Sequence, residues 1–366
     1  MTLLHEGQRI RNAYEVEKLI GEGAFAEVYR VRHRFLGRQA MKVLKLAGIS
    51  QEDAERILGE AIILSRMGHP NIVRVYDADI VETASGSRAF FTMEYVAGGT
   101  LQDYWKSHGS AFVPVESAVE IMRQVCRGLS VAHGEKPPIV HRDIKPQNIL
   151  VGYDVGGLRA RVTDFGLAKR VNALTLLASA RGTLRFKAPE VLRNPQGDSC
   201  TGDVWALGCT LYLLLTDRLP YAEVGEVEFQ KGSFASTPLT PPSAIHLRVD
   251  EVLDGIVLKA LHASPQQRYA DAHQMYADLE RWRPFVKHAS EGDTSLSHVS
   301  KTALGPLALV DVEGGRRLAA KAIGLARTHG RLSDAADLIE EAFTKSPELR
   351  ERYASLVLLW RKGIVM

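Results

Sequence analysis

The stretch LIGEGAFAEVYRV, Leu19–Val31, has the glycine spacing of a phosphate-binding loop with one position changed. Gly21 and Gly23 are in place, and Ala26 stands where a third glycine would complete G-x-G-x-x-G. A dinucleotide-binding loop must open a helix, because the pyrophosphate lies on the helix N-terminus. Here the loop runs into EVYRV, whose β-branched and aromatic residues predict a strand. The turn is therefore either a flap over a ligand or a β-turn that binds nothing.

The bulk composition is that of a globular protein. The 366 residues are 45% hydrophobic and 24% charged, and this length predicts two domains with a smaller appendage. A net charge of +3 gives no support to a nucleic-acid partner. The three cysteines, Cys126, Cys200 and Cys209, lack C-x-x-C spacing, which favours a reducing compartment over a disulfide framework or a zinc site.

The apolar runs are too short for a membrane span. LYLLL at 211–215 and LVLLW at 356–360 fall far below the roughly 20 residues that a transmembrane helix needs. The N-terminal MTLLHEGQRI lacks the basic and apolar segments of a signal peptide. These patterns predict a cytoplasmic protein without a membrane span.

Strand patterns precede helical patterns along the chain. From about Tyr14 to Tyr95, short β-branched and aromatic stretches broken by glycine predict strands, with one helical segment at 50–68. Beyond Gly98 the apolar residues recur at i, i+3 and i+4, as in VPVESAVEIMRQVCRGLSVAHG at 113–134. This order predicts an α+β fold with a strand-rich lobe followed by a larger helical lobe.

The C-terminal part of the chain begins with a change of composition. Residues 286–303 are polar, rich in serine and threonine and without periodicity, which predicts a linker. Three helical patterns follow in 304–366: RRLAAKAIGLART ending at Gly330, SDAADLIEEAFTK starting at Ser333, and SPELRERYASLVLLWRK with Ser346 as N-cap. The short connections predict that neighbouring helices pack antiparallel.

Five motifs follow the glycine loop in a fixed order. They are Lys42 in RQAMKVLKL, Glu60 ahead of HPN, HRDIKPQNIL at 141–150, TDFGL at 163–167 and KAPE at 187–190. Together they resemble the eukaryotic-type (Hanks-type) protein kinases, whose glycine-rich flap covers the phosphates of ATP. The resemblance extends over about residues 10–285. It implies a bilobal kinase fold with an N-lobe at about 10–96 and a C-lobe at about 97–285.

The resemblance implies a phosphoryl transfer that depends on ATP and Mg²⁺, with Mn²⁺ as an alternative ion. Lys42 would contact the α- and β-phosphates, oriented by an ion pair with Glu60. Asp143 would orient the acceptor hydroxyl and accept its proton. Lys145 would contact the γ-phosphate, and Thr183 would bond Asp143 and Lys145. The last two positions are typical of serine/threonine kinases, so protein substrates with these hydroxyls are implied.

The same register assigns the nucleotide site. Adenine would lie between Val28 and Ala40 on one side and Leu150 on the other, although an apolar residue alone is more often simple core. Asn148 and Asp164 would ligate the metal ion, since oxygen donors suit Mg²⁺. The full set of nucleotide-binding positions is Ile20, Gly21, Glu22, Gly23, Ala24, Val28, Ala40, Lys42, Met93, Glu94, Val96, Asn148, Leu150 and Asp164, with Met93 as gatekeeper and Glu94 and Val96 as hinge.

Other family positions are structural. Glu190 is expected to pair with Arg268, and Asp203 to bond the backbone of the catalytic loop. Two residues depart from the family pattern. Phe186 stands where tyrosine is common, and Lys187 is unusual before A-P-E; neither is expected to touch the chemistry.

Alternatives remain for the activity and for the C-terminal helices. A pseudokinase scaffold and a small-molecule kinase share much of the pattern, but the complete catalytic set and the A-P-E segment argue against them. The last helices resemble a tetratricopeptide-type hairpin, of which about one and a half units of 34 residues would fit. Such repeats cannot bury their apolar faces singly, so the helices either dock on the kinase lobes or bind another protein.

The activation segment predicts autophosphorylation. Arg142 is expected to be buried beside Asp143, where a phosphate on the segment would relieve its charge through charge-assisted hydrogen bonds. Thr175 and Ser179 are the candidate acceptors, Ser179 lying four residues before Thr183. Phosphopeptide mapping of the purified active protein should find phosphate on one of the two. Finding both unmodified would contradict this switch.

Overall fold

The computed structural model of the chain describes residues 2–46, 68–109, 112–165, 184–194, 197–284, 311–328 and 331–364. These residues form a sheet-rich N-terminal lobe, a helical C-terminal lobe and three further helices, so the predicted α+β bilobal fold is confirmed. None of the helices in these ranges is both long and apolar enough to span a membrane. The predicted linker 286–303, and the predicted helix 50–68 except Gly68, lie outside the described residues.

The N-terminal lobe contains a six-stranded antiparallel sheet. Its strands are β1 (Arg9–Ile10), β2 (Tyr14–Glu22), β3 (Ala26–His33), β4 (Gly37–Leu44), β5 (Val75–Thr83) and β6 (Gly86–Glu94). They lie in the order β1-β2-β3-β4-β6-β5. Strand β4 therefore lies inside the sheet, between β3 and β6, and its backbone is paired on both sides.

The two faces of this sheet carry separate apolar clusters, because successive side chains of a strand point to opposite faces. In β4, Met41 and Val43 belong to one cluster, whereas Ala40 and Leu44 belong to the other. Lys42 lies between Ala40 and Leu44 in this alternation. The period of two thus places the lysine on the same face as Ala40, beside an apolar surface.

The described part of the C-terminal lobe combines seven α-helices with a small sheet. The helices are α1 (Leu101–Ser107), α2 (Val115–His133), α3 (Pro189–Arg193), α4 (Cys200–Thr216), α5 (Glu226–Gln230), α6 (Glu251–Ala260) and α7 (Ala272–Arg281). The sheet contains the strands β7 (Gly99–Thr100), β8 (Ile149–Asp154) and β9 (Gly157–Val162). Every residue of α4 from Asp203 to Thr216 is buried, as expected for a helix that is apolar all round. Helix α4 is the centre of this lobe.

The segment that contains the HPN motif connects the two lobes. The Val162 N–H donates to the Asn71 carbonyl oxygen, and the Val73 N–H donates to the Val162 carbonyl oxygen, each at 2.9 Å. The Asn71 amide also donates to the Ala160 carbonyl oxygen at 2.9 Å. A methyl group at Gly128 of α2 would lie 2.8 Å from the Asn71 oxygen, so only glycine fits there. These contacts fix the end of β9, which leads into Thr163 and Asp164.

Three helices follow at the C-terminus: α8 (Val312–Ala326), α9 (Leu332–Lys345) and α10 (Leu349–Arg361). They share an apolar core, in which α9 packs against both of the others. Helix α9 also contacts β4 of the N-terminal lobe and β8 of the C-terminal lobe. Of the two alternatives left open by the sequence, the structure shows the helices docked on the lobes.

The predicted ends of these helices need correction. The first ends at Ala326, before the predicted Gly330, which lies outside the described residues. The predicted N-cap at Ser346 is wrong, because α10 begins at Leu349 with Glu348 as its N-cap. Ser346 is fully buried, and a methyl group at Gly315 would meet its Cβ at 2.7 Å. Ser346 therefore serves as a packing residue between helices and not as a helix cap.

The ion pair of Arg268 with Glu190 tests how much a buried contact contributes to the stability of the C-terminal lobe. The fully buried guanidinium of Arg268 donates to both carboxylate oxygens of Glu190, at 2.6 and 2.8 Å, as the sequence predicts. We expect Arg268→Met to lower the free energy of unfolding by about 3 kcal/mol, since it leaves Glu190 without its partner. The control Arg281→Met removes an exposed partner of Asp278 and should cost less than about 1 kcal/mol. Equal losses in urea unfolding would contradict the structural role of the buried pair.

Candidate active site

The glycine-rich turn closes the hairpin between β2 and β3, as predicted. The Gly23 N–H donates to the Ala26 carbonyl oxygen at 2.9 Å, and Gly21 lies opposite Val28. Neither glycine has a positive φ, and a methyl group at Gly21 would lie 3.7 Å from the Val28 Cβ, an ordinary contact. Conformational freedom therefore does not explain these glycines. At Gly21 the missing side chain leaves space beside Val28, where a ligand can approach the backbone.

Ala26 belongs to the fold and is not a decayed glycine. Its side chain is buried in the apolar cluster beneath the turn, and its backbone pairs with Leu44 of β4. Its φ is not positive, which is the condition for a methyl group to be tolerated there. The third glycine of the pattern is therefore unnecessary for this hairpin.

The apolar residues assigned to the adenine lie in a single cluster. Ala40 and Met93 are buried in it, and Val28 and Leu150 pack against it, half-buried. Leu150 comes from β8 of the other lobe, so the cluster lies between the lobes. Ile20 on β2 is 40% exposed, which is unusual for a large apolar side chain in this sheet. The cluster offers flat apolar surfaces of the kind that heterocycles bind.

The remaining predicted positions of the flap and the hinge are more exposed. Ala24 lies at the tip of the turn, and Glu22 forms an exposed ion pair with Lys45 at 2.7 Å. The Glu94 N–H donates to the Arg74 carbonyl oxygen at 2.8 Å, and its carboxylate lies 3.3 Å from Arg161. Glu94 and Val96 also line a cavity behind the hinge. We define the hinge as residues 94–97.

Lys42 reaches across to the C-terminal lobe. Its Nζ lies 2.6 Å from Oδ1 of Asp164, which follows β9 and has a φ of +64°. A left-handed conformation is uncommon for a residue other than glycine, and it turns the backbone sharply at this point. The structure therefore brings together two of the predicted phosphate and metal positions. The predicted partner Glu60 lies outside the described residues, as does Thr183.

His141, which was not predicted as a site residue, links the backbone segments of Asp143 and Asp164. The Asp143 N–H donates to His141 Nδ1 at 3.2 Å, so that nitrogen carries no proton. The other ring nitrogen, Nε2, donates to the Thr163 carbonyl oxygen at 2.9 Å. Burial lowers the pKa of His141, which agrees with a neutral ring. The imidazole thus fixes the backbone at Asp143 relative to the residue before Asp164.

The carboxylate of Asp143 is held by two residues that the sequence assigned to the site in other roles. Lys145 Nζ lies 2.8 Å from its Oδ2, and the Asn148 amide donates to the same oxygen at 2.9 Å. The same amide nitrogen donates to the Asp143 carbonyl oxygen at 2.8 Å. Because both hydrogens of the amide are used within the loop, its oxygen is the atom that can bind a cation.

Asp203 fixes the conformation of this loop, as predicted. Its two carboxylate oxygens accept the backbone N–H groups of His141, at 2.6 Å, and Arg142, at 2.8 Å. His133 Nε2 lies 3.0 Å from Asp203, while His133 Nδ1 accepts the N–H of Ala272. Although burial opposes ionisation, the hydrogen bond from His133 keeps the pKa of Asp203 below its usual value.

One expectation around Arg142 is wrong. Its side chain is 33% exposed, not buried, and its Nε lies 3.8 Å from Asp198. Lys187, which departs from the family pattern, donates from Nζ to the Arg142 carbonyl oxygen. It therefore contacts the backbone next to Asp143. The candidate phosphate acceptors Thr175 and Ser179 lie outside the described residues.

The donor set fits a nucleotide-bound divalent cation. Among the described residues no three His, Cys, Asp or Glu side chains converge on a common metal position. Asp164 and the oxygen of Asn148 are hard oxygen donors, too few to complete a coordination shell alone. Mg²⁺ commonly binds through one or two protein oxygens together with phosphates and water. These residues therefore suit an ion that arrives with a nucleotide better than one held by the protein alone.

Comparisons with known sequences agree with this arrangement. A family model of the protein kinase domain matches residues 14–279. The chain is 34% identical over 278 residues to the serine/threonine-protein kinase PknB of Mycobacterium leprae, and 35% identical over 281 residues to that of Mycolicibacterium smegmatis. These alignments cover 74% and 75% of this chain and 43% of each relative. The chain thus spans less than half the length of these relatives.

Solved structures show the same fold. The crystal structure of the Mycobacterium tuberculosis PknI kinase domain is 26% identical in sequence and superposes with a TM-score of 0.56. The match covers 76% of this chain and 98% of that domain. The tetratricopeptide resemblance of α8–α10 is not confirmed by these comparisons.

The role of Ala26 can be tested directly. We expect Ala26→Gly to lower the free energy of unfolding by about 1 kcal/mol, because it removes a buried methyl group and adds backbone freedom within a strand. We expect the KM for ATP to change by less than about tenfold, which corresponds to roughly 1.4 kcal/mol. Thermal unfolding and steady-state kinetics measure the two effects. A larger change in KM would mean that the third glycine position matters for nucleotide binding.

Proposed function

The chain belongs to the protein kinase family, and we propose that it transfers the γ-phosphate of ATP to serine and threonine hydroxyls of proteins. The observation that carries this proposal is the convergence of Lys42, Asp143, Asn148 and Asp164 beside the apolar cluster between the lobes. Phosphoryl transfer requires positioning and charge neutralisation more than covalent participation of the protein. The site provides cationic lysine side chains, oxygen donors and an apolar surface in one place.

Asp143 would orient the acceptor hydroxyl and take its proton as the oxygen bonds to the γ-phosphorus of ATP, while the bond from that phosphorus to the bridging oxygen breaks and ADP leaves. Among the described side chains, Lys145 and Asn148 both contact its Oδ2, which leaves Oδ1 for the substrate. Fixing one oxygen also fixes the plane of the carboxylate. A base held in this way meets the geometric requirement for proton transfer in a bound complex.

Lys42 would hold the α- and β-phosphates. It approaches the site from β4, and Asp164 holds its ammonium group at 2.6 Å in this structure. Asn148 and Asp164 would ligate the ion, which supplies neutralisation of the phosphate charge when bound. We propose Mg²⁺ because hard oxygen donors predominate, and the same donors accept Mn²⁺.

Lys145 supports serine and threonine as acceptors. It lies two residues after Asp143 and contacts its carboxylate, so its ammonium group is next to the position of the transferred phosphate. The two PknB relatives, both serine/threonine-protein kinases, are 34% and 35% identical to this chain. A pseudokinase scaffold is the less favoured function, because the described catalytic side chains are assembled and mutually bonded.

Protein substrates follow from the proposed reaction, and a nucleic-acid partner receives no support from the modest net charge of +3. We propose a cytoplasmic location for this catalytic unit, since ATP is its phosphoryl donor and its three cysteines are free thiols. For α8–α10, contact with the lobes favours a role within this chain over recruitment of a separate protein.

Transfer of labelled phosphate tests the proposed activity. With labelled ATP, Mg²⁺ and a generic basic protein, the protein should label both the substrate and itself. Asp143→Asn should lower kcat by at least about 100-fold, the usual contribution of a positioned proton acceptor. Lys42→Met should also abolish most labelling, because it removes the cation that holds the phosphates. Labelling unaffected by both substitutions would overturn the assignment.

A further inference from the structure

We propose that α9 is an interlobe clamp, and that Asp334 is a positioning residue for the phosphoryl transfer proposed above. By a clamp we mean a helix whose first turn is bonded to the N-terminal lobe and whose last turn is bonded to the hinge. The inference rests on the proposed function, because it concerns the distance between catalytic groups of different lobes.

The first turn of α9 contacts the N-terminal sheet. The buried carboxylate of Asp334 accepts a hydrogen bond from Arg32 of β3. Arg32 is in turn 2.9 Å from Glu17 of β2, so the pair is anchored to two strands. In the described part of the chain this is the one ion pair that joins the last three helices to the lobes. Ser333 lies close by, 3.0 Å from where a methyl group at Gly37 would be.

The last turn of α9 contacts the hinge and the C-terminal lobe. Thr344 Oγ1 donates to the Ala97 carbonyl oxygen at 3.2 Å. Tyr153 and Val155, at the turn between β8 and β9, pack into the apolar core of α8–α10. At the same turn, a methyl group at Gly157 would lie 3.0 Å from Nη1 of Arg350 in α10. The last turn of α9 is thereby fixed to the hinge, and the core of α8–α10 is fixed to the strand pair that follows the catalytic loop.

Between its two ends α9 passes over a cavity of about 350 Å³ behind the hinge. Asp337 and Glu340, in the middle of the helix, line this cavity and accept hydrogen bonds from Arg361 of α10 at 2.7 and 2.8 Å. Their hydrogen bonds thus hold α10 to α9. The described polar contacts with the lobes, through Asp334 and Thr344, lie near the ends of α9.

A helix joined at its ends limits movement between the lobes. Asp334 and Thr344 are ten residues apart, about 15 Å along a helix axis, and a helix keeps this length nearly constant. The hinge, residues 94–97, is the segment about which the N-terminal lobe would turn. Lys42 belongs to the N-terminal lobe, whereas Asp143 and Asp164 belong to the C-terminal lobe. A displacement of 1 Å between such groups is enough to lower a rate by about 100-fold.

The clamp predicts that its two ends are energetically coupled to nucleotide binding. Arg32→Met and Asp334→Asn should each weaken binding of a non-hydrolysable ATP analogue three- to tenfold. The affinity of the double variant should be no lower than that of the single variant with the lower affinity. Both changes break the same contact between Arg32 and Asp334. Thr344→Val keeps the shape of the side chain, removes the bond to Ala97 and should act in the same direction. Calorimetric titration measures these dissociation constants.

The control is Lys345→Met, which removes an exposed pair with Asp311 within the C-terminal helices and should leave the affinity within twofold. The triple variant Arg32→Met, Asp334→Asn, Thr344→Val should also show faster hydrogen exchange in α9, with the thermal unfolding of the kinase lobes retained. An unchanged affinity in the triple variant overturns the clamp, whether or not α9 is released. Because the readout is nucleotide binding, the clamp can fail while the transfer assay succeeds, and the two failures are told apart by different measurements.

Discussion

A buried carboxylate at the start of the central helix holds the loop that carries Asp143, the proposed proton acceptor. Asp203 accepts the N–H groups of His141 and Arg142, and the backbone at Arg142 has a φ of +70°. Such a conformation costs a residue with a side chain about 1 kcal/mol or more, and it persists only where its surroundings enforce it. Because α4 is buried along its length, Asp203 has a rigid support, and the loop conformation depends on the core of the lobe.

The site depends equally on contacts that join separate elements. His141 links the catalytic loop to Thr163, and Asn71 fixes the strand that leads there. Lys42 then meets Asp164 from the other lobe. The segments of Asn71, His141 and Thr163 border one apolar core, which contains Ile72, Ile144 and Val162, whereas Lys42 lies on the sheet of the other lobe. The relative placement of the two cores therefore sets the geometry of the site. A helix that spans the hinge would act on the proposed reaction through this placement, without touching a substrate.

Much of the site followed from motifs, and the missing parts share a physical cause. Lys42, Asp143, Asn148 and Asp164 were assigned by their order along the chain, and the structure brings them together. His141 was overlooked as a site residue because it acts through backbone N–H and carbonyl groups, which every residue has. The contact of Lys187 with the backbone of the catalytic loop was missed for the same reason. Hydrogen bonds to the main chain leave no pattern of residue types by themselves, and the backbone contact of Asp203 was assigned only through its position in the family pattern.

The sequence by itself determined the α+β order of the lobes and, through the period of two in β4, the face on which Lys42 lies. Those features are local, since they depend on side-chain periodicity within one element. Tertiary structure alone decided where α8–α10 dock, and it buried Asp334 against an arginine 302 residues away. A contact between residues so distant depends on the packing of whole elements. Local periodicity carries no information about it, and so the sequence left both the docked and the partner-bound alternatives open.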